Sequence, residues 1–560
     1  MKRDHILLFE KIYNKALGRV ADGLRDGPRF RDANADMSGN FFSGSPYFLT
    51  EPAEGARWRL GYAVADVTPG DWREHDYYLG GYLTAENGFN NKVNDVLDKM
   101  QCRIIALDDG SGRGVSVFAT LDCIGLCSCD VKKIRGKLVR LLNGDGCEEK
   151  LCSVNVFSTH AHSCVDTQGL WTQTGRKLIH NYKVNKHRKG LYLNGPDPVF
   201  LNELTSAVAA AMLGAIRSMT AGTMTYAAKD IGKAYFGNKN RPSATAMSSE
   251  LIRFVFTPDD GESRPVILAS MPAHPDVAGL PTTDGQGDGR TLCGEYIYYM
   301  GEVIDRAGYD FIFINGAICA IYMNRGLTND GVSFRRRYEQ SIRYGRELGR
   351  IVLSMTKTTE EIEADDLLYD IENVEKDRAE SERNGAPHTL WYENWEPVAE
   401  TPVEPILNIR LKQVKIPVTN PLMKLVGKLG LVNFEVLRDG RGGYLGVTEI
   451  GYLELGRRFR AVLVPGEYCQ DLLSGGASLT AEGSFSGRDF PYPPLRDIFG
   501  EGLHAFGLAN DAIGYIVPDN DYIIGDPQNH YHEFISVGEH AASSITKAFL
   551  ELKDECNEVL

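Results

Sequence analysis

Long hydrophobic runs are missing from this sequence: nowhere in its 560 residues do about 18 to 20 apolar residues follow one another, so nothing in it reads as a bilayer span. Basic character is scarce too. With 61 Lys and Arg against 75 Asp and Glu the net charge is −14, which argues against a nucleic-acid binder, whose surface carries a basic face. The eleven cysteines form an odd set with no regular framework, and Cys127 and Cys129 stand too close together for a CxxC site. That usage fits a reduced, cytosolic compartment. A signal-peptide core is lacking, because the apolar run at the amino terminus, Ile6 to Phe9, is only four residues long and reads as part of a surface helix. There is no internal repeat, and no low-complexity tract beyond an acidic one near 358–383.

What is present is a globular composition, 43% hydrophobic, sufficient for one large core or two or three ordinary ones. Residues 1–55 read as an extension, a helical start followed by a Gly, Ser and Asn-rich stretch from Met37 to Ser45. From about residue 56 strand and helix signals alternate. Strands are expected at Gly61–Val67, Gln101–Leu107, Val115–Leu121, Leu251–Phe256, Val266–Met271 and Phe311–Ile314. Helices are expected at Asp130–Leu142, at Leu201–Ile216 and at Phe334–Met355. The acidic segment 358–383 reads as a connection between two halves. Beyond it, strands at Ile406–Val418, Val447–Leu455 and Arg460–Val464 precede a closing helix, Ile535–Leu552. The fold class is α/β, with layered mixed sheets and flanking helices.

The strongest local signal is His160-Ala161-His162, which follows the apolar run Leu151 to Phe157. It reads as a strand delivering two imidazoles on one face into the crevice beyond a sheet's carboxyl end. Two further apolar strands end in a similar way, Val266–Met271 running into His274 and Ala461–Val464 into Glu467. Two imidazoles and a carboxylate suit zinc, which in catalytic sites keeps an open position for water. A lone His at a strand end, or a Pro-Gly-Glu turn, is an ordinary structural feature, so the weight rests on the repetition. HxH also occurs in metallo-β-lactamases and amidohydrolase barrels. The first wants HxHxDH, where this chain has His160-Ala161-His162-Ser163-Cys164-Val165-Asp166, and the second wants regular βα repeats.

Taken together, six ordered segments resemble the catalytic domain of the neutral/alkaline non-lysosomal ceramidase family over roughly Gly61 to Leu552. They are Gly61 to Pro69, Ser158 to Ser163, Asn238 to Arg241, Ala273-His274-Pro275, Val464 to Glu467, and Gly507 to Asn510 leading to Gly514-Tyr515-Ile516. The resemblance implies zinc held by His160, His274, Glu467 and Tyr515, with Tyr522 as the alternative tyrosine. It implies that His162 and Arg241 face the substrate and stabilise an oxyanion, with Tyr515 as a catalytic assistant. Asp166, in the loop after the HxH, is read as a further substrate-side residue.

The implied activity is hydrolysis of the amide bond of a small-molecule N-acyl substrate by metal-activated water, with an ester or lactone open to the same device. A ceramidase-like fold retained as a binding protein is the alternative. The family's glycines after the HxHS segment are replaced here by Cys164-Val165-Asp166, and the residues after Asn315-Gly316-Ala317 also depart, so the pocket floor differs. The family's export signal and immunoglobulin-like carboxyl-terminal domain are not read here, which makes ceramide at a membrane surface a doubtful substrate. A basic stretch, Arg176 to Lys189, reads either as a solvated loop or as a lid recruiting an anionic or polar substrate. A second HxH, His530-Tyr531-His532-Glu533, lies in a polar loop and is a weaker metal candidate. Cys164 and Cys469 are read as packing residues.

Overall fold

Eight longer strands, several of them buried at nearly every position, form the body of a nine-stranded sheet whose two faces are both covered, the short Thr401–Pro402 being the ninth. The computed structural model describes residues 3–81, 91–238, 241–276, 290–323, 334–371, 375, 391–392 and 394–558. The strands are β1 (Trp58–Asp66), β2 (Gln101–Asp108), β3 (Val115–Leu121), β4 (Leu151–Ser158), β5 (Thr220–Asp230), β6 (Glu250–Pro258), β7 (Val266–Met271) and β8 (Asp310–Asn315), in the order β8-β7-β6-β5-β1-β2-β3-β4. Only the two flanking pairs, β7 with β8 and β3 with β4, are parallel; the pairings between them are antiparallel. A second sheet is built from β9 (Leu407–Pro417), β10 (Val436–Arg438), β11 (Tyr444–Leu455), β12 (Phe459–Leu463) and β13 (Leu503–Phe506).

The two sheets pack face to face. Leu60, Ile105, Phe118, Phe254, Leu268 and Ile314 from the first meet Ile409, Leu453, Leu455, Phe459, Leu463 and Phe506 from the second in one dry core. The longer helices are α1 (Arg3–Gly23), α2 (Ser128–Asp145), α3 (Thr174–His187), α4 (Pro198–Arg217), α5 (Glu295–Arg306), α6 (Phe334–Ser354) and α7 (Ala541–Glu558). Helices α2 and α4 cover one part of the first sheet's outer face, α5 and α6 another, and α7 covers the second sheet. The result is four layers, helix, sheet, sheet and helix, the mixed α/β architecture the sequence implies. Arg135 of α2 spans the layers, donating to Val154 O of β4 at 2.9 Å and to both carboxylate oxygens of Glu449 on β11 at 2.9 Å each.

Several elements differ from the sequence reading. Among the described residues α4 is the helix long and apolar enough to cross a membrane, yet Phe200, Leu204, Val208, Met212 and Ile216 lie buried against the first sheet as part of its core. Residues 1–55 are stitched into the second sheet: Phe30–Arg31 runs parallel to β10, Ser45 N donates to Ile409 O at 2.6 Å, and Asn408 Nδ2 donates to Leu49 O at 2.8 Å. The acidic segment begins as a short helix, Thr359–Glu363, started by a capping box between Thr358 and Glu361, with Ile362 buried beside Leu368 and Tyr392. The rest of that segment lies largely outside the described residues. The closing helix starts six residues later than expected, at Ala541, because Tyr531–Ile535 forms a separate 3₁₀ turn.

Candidate metal centre

Carboxyl ends of the parallel pairs carry the site, since chain leaving a parallel strand opens into the crevice beyond it. β4 ends at Ser158 and β7 at Met271, and the backbone beyond each delivers His160 and His274. Asn315, the last residue of β8, joins these two loops by donating from Nδ2 to Thr159 O at 2.9 Å and to Ala273 O at 3.4 Å. Glu467 arrives from the second sheet. It opens a two-residue strand paired in parallel with Tyr515–Ile516, which places Glu467 and Tyr515 side by side in register.

His160 does not continue the strand as the sequence pattern suggests. Its φ is +67°, left-handed backbone that a non-glycine residue adopts at a cost of about 1–3 kcal/mol. The turn there sets the rings of His160 and His162 nearly perpendicular, 79° apart at 4.8 Å, instead of side by side on a pleat. The His274 ring lies 4.9 Å from that of His160 and 6.0 Å from that of His162.

Backbone carbonyls fix the imidazoles. His160 Nδ1 lies 2.7 Å from Ile124 O and His274 Nδ1 lies 2.7 Å from Ile321 O, so both Nδ1 atoms act as donors and both Nε2 atoms turn inward. The two Nε2 atoms meet at one atom, Glu467 Oε2, at 3.3 Å and 2.9 Å. Burial alone would raise the Glu467 carboxyl, but the imidazoles of His160 and His274 override it and hold the group well below the usual carboxylate range. Burial opposes charge on His274 as well; its hydrogen bond to Glu467 prevails and raises it. His162 is different, pushed well below the usual imidazole range by burial and then by His160. Burial, reinforced by Glu467, pushes the Tyr515 phenol well up.

Convergent Nε2 atoms with their Nδ1 partners on carbonyls, plus a buried carboxylate, form a donor set suited to a divalent cation. The ligand atoms of His160, His162 and His274 lie within 4.8 Å of one another, all buried. A small cleft opens from them, walled by Ile124, Trp171, Leu508, Tyr515, Tyr531 and Ile535. Its lining is mostly apolar around a few polar groups, as small-molecule sites are.

Two residues read as substrate-facing are spent elsewhere. The Asp166 carboxylate is fully buried and accepts hydrogen bonds from Gln168 N, Gly169 N, Trp171 N, Thr172 N and Thr172 Oγ1, at 2.8–2.9 Å. It shapes the loop that carries Gln168 and Trp171 into the cleft wall. Arg241, also fully buried, is committed to Asp521 Oδ2 at 2.7 Å and Glu533 Oε1 at 2.6 Å, and it does not line the cleft. Its neighbours Lys239 and Asn240 lie outside the described residues.

Between the two tyrosines the geometry is clear: Tyr515 lines the cleft, whereas the Tyr522 hydroxyl donates to Glu533 O at 3.2 Å. The second HxH serves as wall. His530 Nδ1 pairs with Glu533 Oε1 at 3.0 Å, the His532 ring stands edge-on to Tyr515 at 4.5 Å, and Tyr531 reaches the cleft. Sequence reasoning missed Tyr531, Gly81 and the clamping role of Asn315. Only Asn315 left a signal, as a polar residue closing an apolar strand. Cys164 and Cys469 are buried packing residues, as expected.

Among solved structures the chain is similar to the crystal structure of neutral ceramidase from Pseudomonas aeruginosa, with a TM-score of 0.56 and 12% identity over 89% of this chain and 75% of that one. The fold is ceramidase-like. A ceramidase complexed with C2 superposes at a TM-score of 0.57 and 12% identity, covering 90% of this chain and 76% of that one. No family model and no curated protein matches the sequence.

Two expected results follow from residues at and close to the cleft wall. Gly81 has φ +138°, and a Cβ there would fall 2.7 Å from Cγ and Nδ1 of His162. Gly81→Ala therefore displaces that ring and, on the hydrolase function proposed below, turnover should fall by about 10²-fold. Unchanged turnover would show that the placement of His162 does not matter.

Asp511, whose Oδ1 accepts from Ser128 N and Ala512 N, is lifted by burial to about 7. The native state therefore holds a proton between about pH 4 and 7 that the unfolded chain has released, so this group's contribution to stability is lost as pH rises through 7. Asp511→Asn should remove that part of the pH dependence, read as a smaller difference in Tm between pH 5 and pH 8. An unaltered difference would mean that Asp511 does not titrate there.

Proposed function

We propose that this protein is a zinc-dependent hydrolase of the amide bond in an N-acyl small molecule, working in a reducing, cytosolic setting. The observation that carries the reading is the meeting of His160 Nε2 and His274 Nε2 at Glu467 Oε2, each imidazole set by a carbonyl, at the foot of a largely apolar cleft. The ceramidase-like fold supports it.

His160, His274 and Glu467 would hold the cation, with Tyr515 beside Glu467 as the fourth donor in reach. Zinc held there would supply Lewis-acid polarisation of a carbonyl and acidify water near neutral pH. His162, facing the same cleft, is suited to hydrogen-bond the developing oxyanion. Trp171, Leu508 and Ile535 offer apolar contact to an acyl chain and limit water.

The test is elemental analysis of the purified protein together with amine release from a panel of N-acyl compounds that includes a short-chain ceramide and matched esters. About one zinc per chain with amine release supports the amidase; ester cleavage alone would convert the reading to an esterase. Absence of zinc after reconstitution would sink it in favour of a binding protein. His162→Ala should keep its zinc and lose turnover by about 10²-fold or more, which elemental analysis and kcat measure separately. Loss of zinc would instead make His162 a ligand.

A further inference from the structure

Of the fifteen large apolar side chains most exposed among the described residues, nine lie on two segments, 7–20 and 178–191. The second is also the most basic stretch of the chain. Between residues 174 and 195 there are six Lys and Arg and no Asp or Glu, in a protein of net charge −14. On α3 the exposed Leu178, Ile179 and Tyr182 stand among the exposed Arg176, Lys183 and Lys186, and Leu191 follows after Arg188 and Lys189.

This helix is neither a solvated loop nor a swinging lid, because its inner face is tied down by buried polar groups. Lys177 Nζ donates to Gly169 O and Gly195 O at 2.6 Å each, and Asn181 Nδ2 donates to Leu429 O at 2.7 Å. Asn185 exchanges hydrogen bonds with the backbone of Arg25, just beyond α1, at 3.0 Å and 3.1 Å. That joint ties the chain just beyond the end of α1 to α3, and Leu7, Leu8, Ile12 and Val20 of α1 are exposed. Both helices are fastened to the cleft wall. The loop bearing Trp171 runs directly into α3, and Tyr13 of α1 packs edge-on against Phe534, next to Ile535, at 5.7 Å.

We propose that α1 and the basic face of α3 form a docking surface for an anionic lipid bilayer. Exposed apolar side chains can enter the headgroup boundary while Lys and Arg meet lipid phosphates, the pattern of helices that lie in a membrane surface. A second copy of the chain is the poorer occupant, since two such α3 faces would oppose like charge. The surface bears on substrate through the hydrolase reading, on which this clause rests: it would let an acylated amide be drawn from a bilayer, the setting the sequence disfavoured.

Flotation of the purified full chain with vesicles tests this, comparing phosphatidylcholine alone with phosphatidylcholine carrying phosphatidylserine. Binding should be at least about tenfold stronger with the anionic lipid and should weaken with salt. Lys183→Glu, Lys186→Glu and Lys189→Glu together should abolish the difference, and Leu178→Ser with Ile179→Ser should weaken binding, both with Tm unchanged because all five side chains are exposed. Equal binding to the two vesicle types, or none, would overturn the proposal, as would a dimer in light scattering that the triple variant dissolves. Flotation requires no turnover, so a protein that floats yet releases no amine keeps the docking surface and loses the hydrolase reading.

Discussion

Glu467→Gln is expected, on the zinc-hydrolase function proposed above, to leave the protein without bound zinc and to lower amide hydrolysis by about 10³-fold, or ~4 kcal/mol of transition-state stabilisation. The substitution keeps the shape of the side chain and removes the charge on which two imidazoles converge, Nε2 to Oε2 at 3.3 Å and 2.9 Å. A neutral amide offers a divalent cation a much weaker oxygen donor and leaves two buried histidines without their shared counter-charge. His160→Ala should lose zinc equally, and the contrast with His162→Ala separates the donor set from the residue that faces substrate. Zinc occupancy measured by elemental analysis beside kcat/KM checks both effects. Full occupancy in the Glu467 variant would remove this carboxylate from the donor set.

Arg241→Met is expected to destabilise the fold by about 3–5 kcal/mol, because it strips the counter-charge from two buried carboxylates at once. Burial would raise Glu533, but Arg241 overrides it and brings the group down to about 2. A carboxyl depressed in the native state adds stability above its unfolded pKa, near 4.3, and loses it as pH falls toward the folded value. In the variant burial acts unopposed and Glu533 takes up a proton at higher pH. The deficit against wild type should therefore be larger at pH 8 than at pH 5, which denaturant unfolding at the two values measures. A substrate-facing Arg241 would give the opposite result, a raised KM with stability intact, and that outcome would restore the role the resemblance implies.

How much of this was legible in the sequence varies by element for physical reasons. Strands such as Val115–Leu121 and Val266–Met271 were read to the residue, because a strand buried on both faces is a nearly continuous run of apolar and small residues. Helix α4 was read within a few residues from its 3.6-residue period. By contrast β5, central in the first sheet, was not read at all; its burial is patchy and its Thr, Ala and Gly content carries no clear period. Helix α3 was read as a loop or lid because its buried face is made of Lys177, Asn181 and Asn185, polar residues that periodicity counts as exposed.

In the site the same division holds. The sequence by itself determined the inventory: strands that end near His160, His274 and Glu467, an acidic chain, and an order of motifs that resembles one fold. Those follow from local pattern, since backbone period and residue type are properties of neighbours along the chain. Only the tertiary structure decided where those residues sit and what they touch. It turned His160 at a left-handed bend, chose Tyr515 over Tyr522, gave Asp166 to a loop and Arg241 to two carboxylates, and brought Tyr531 to the cleft. Each of these depends on a partner far along the chain, such as Glu467 more than 190 residues from His274, whose hydrogen bonds and burial exist only once the layers have packed.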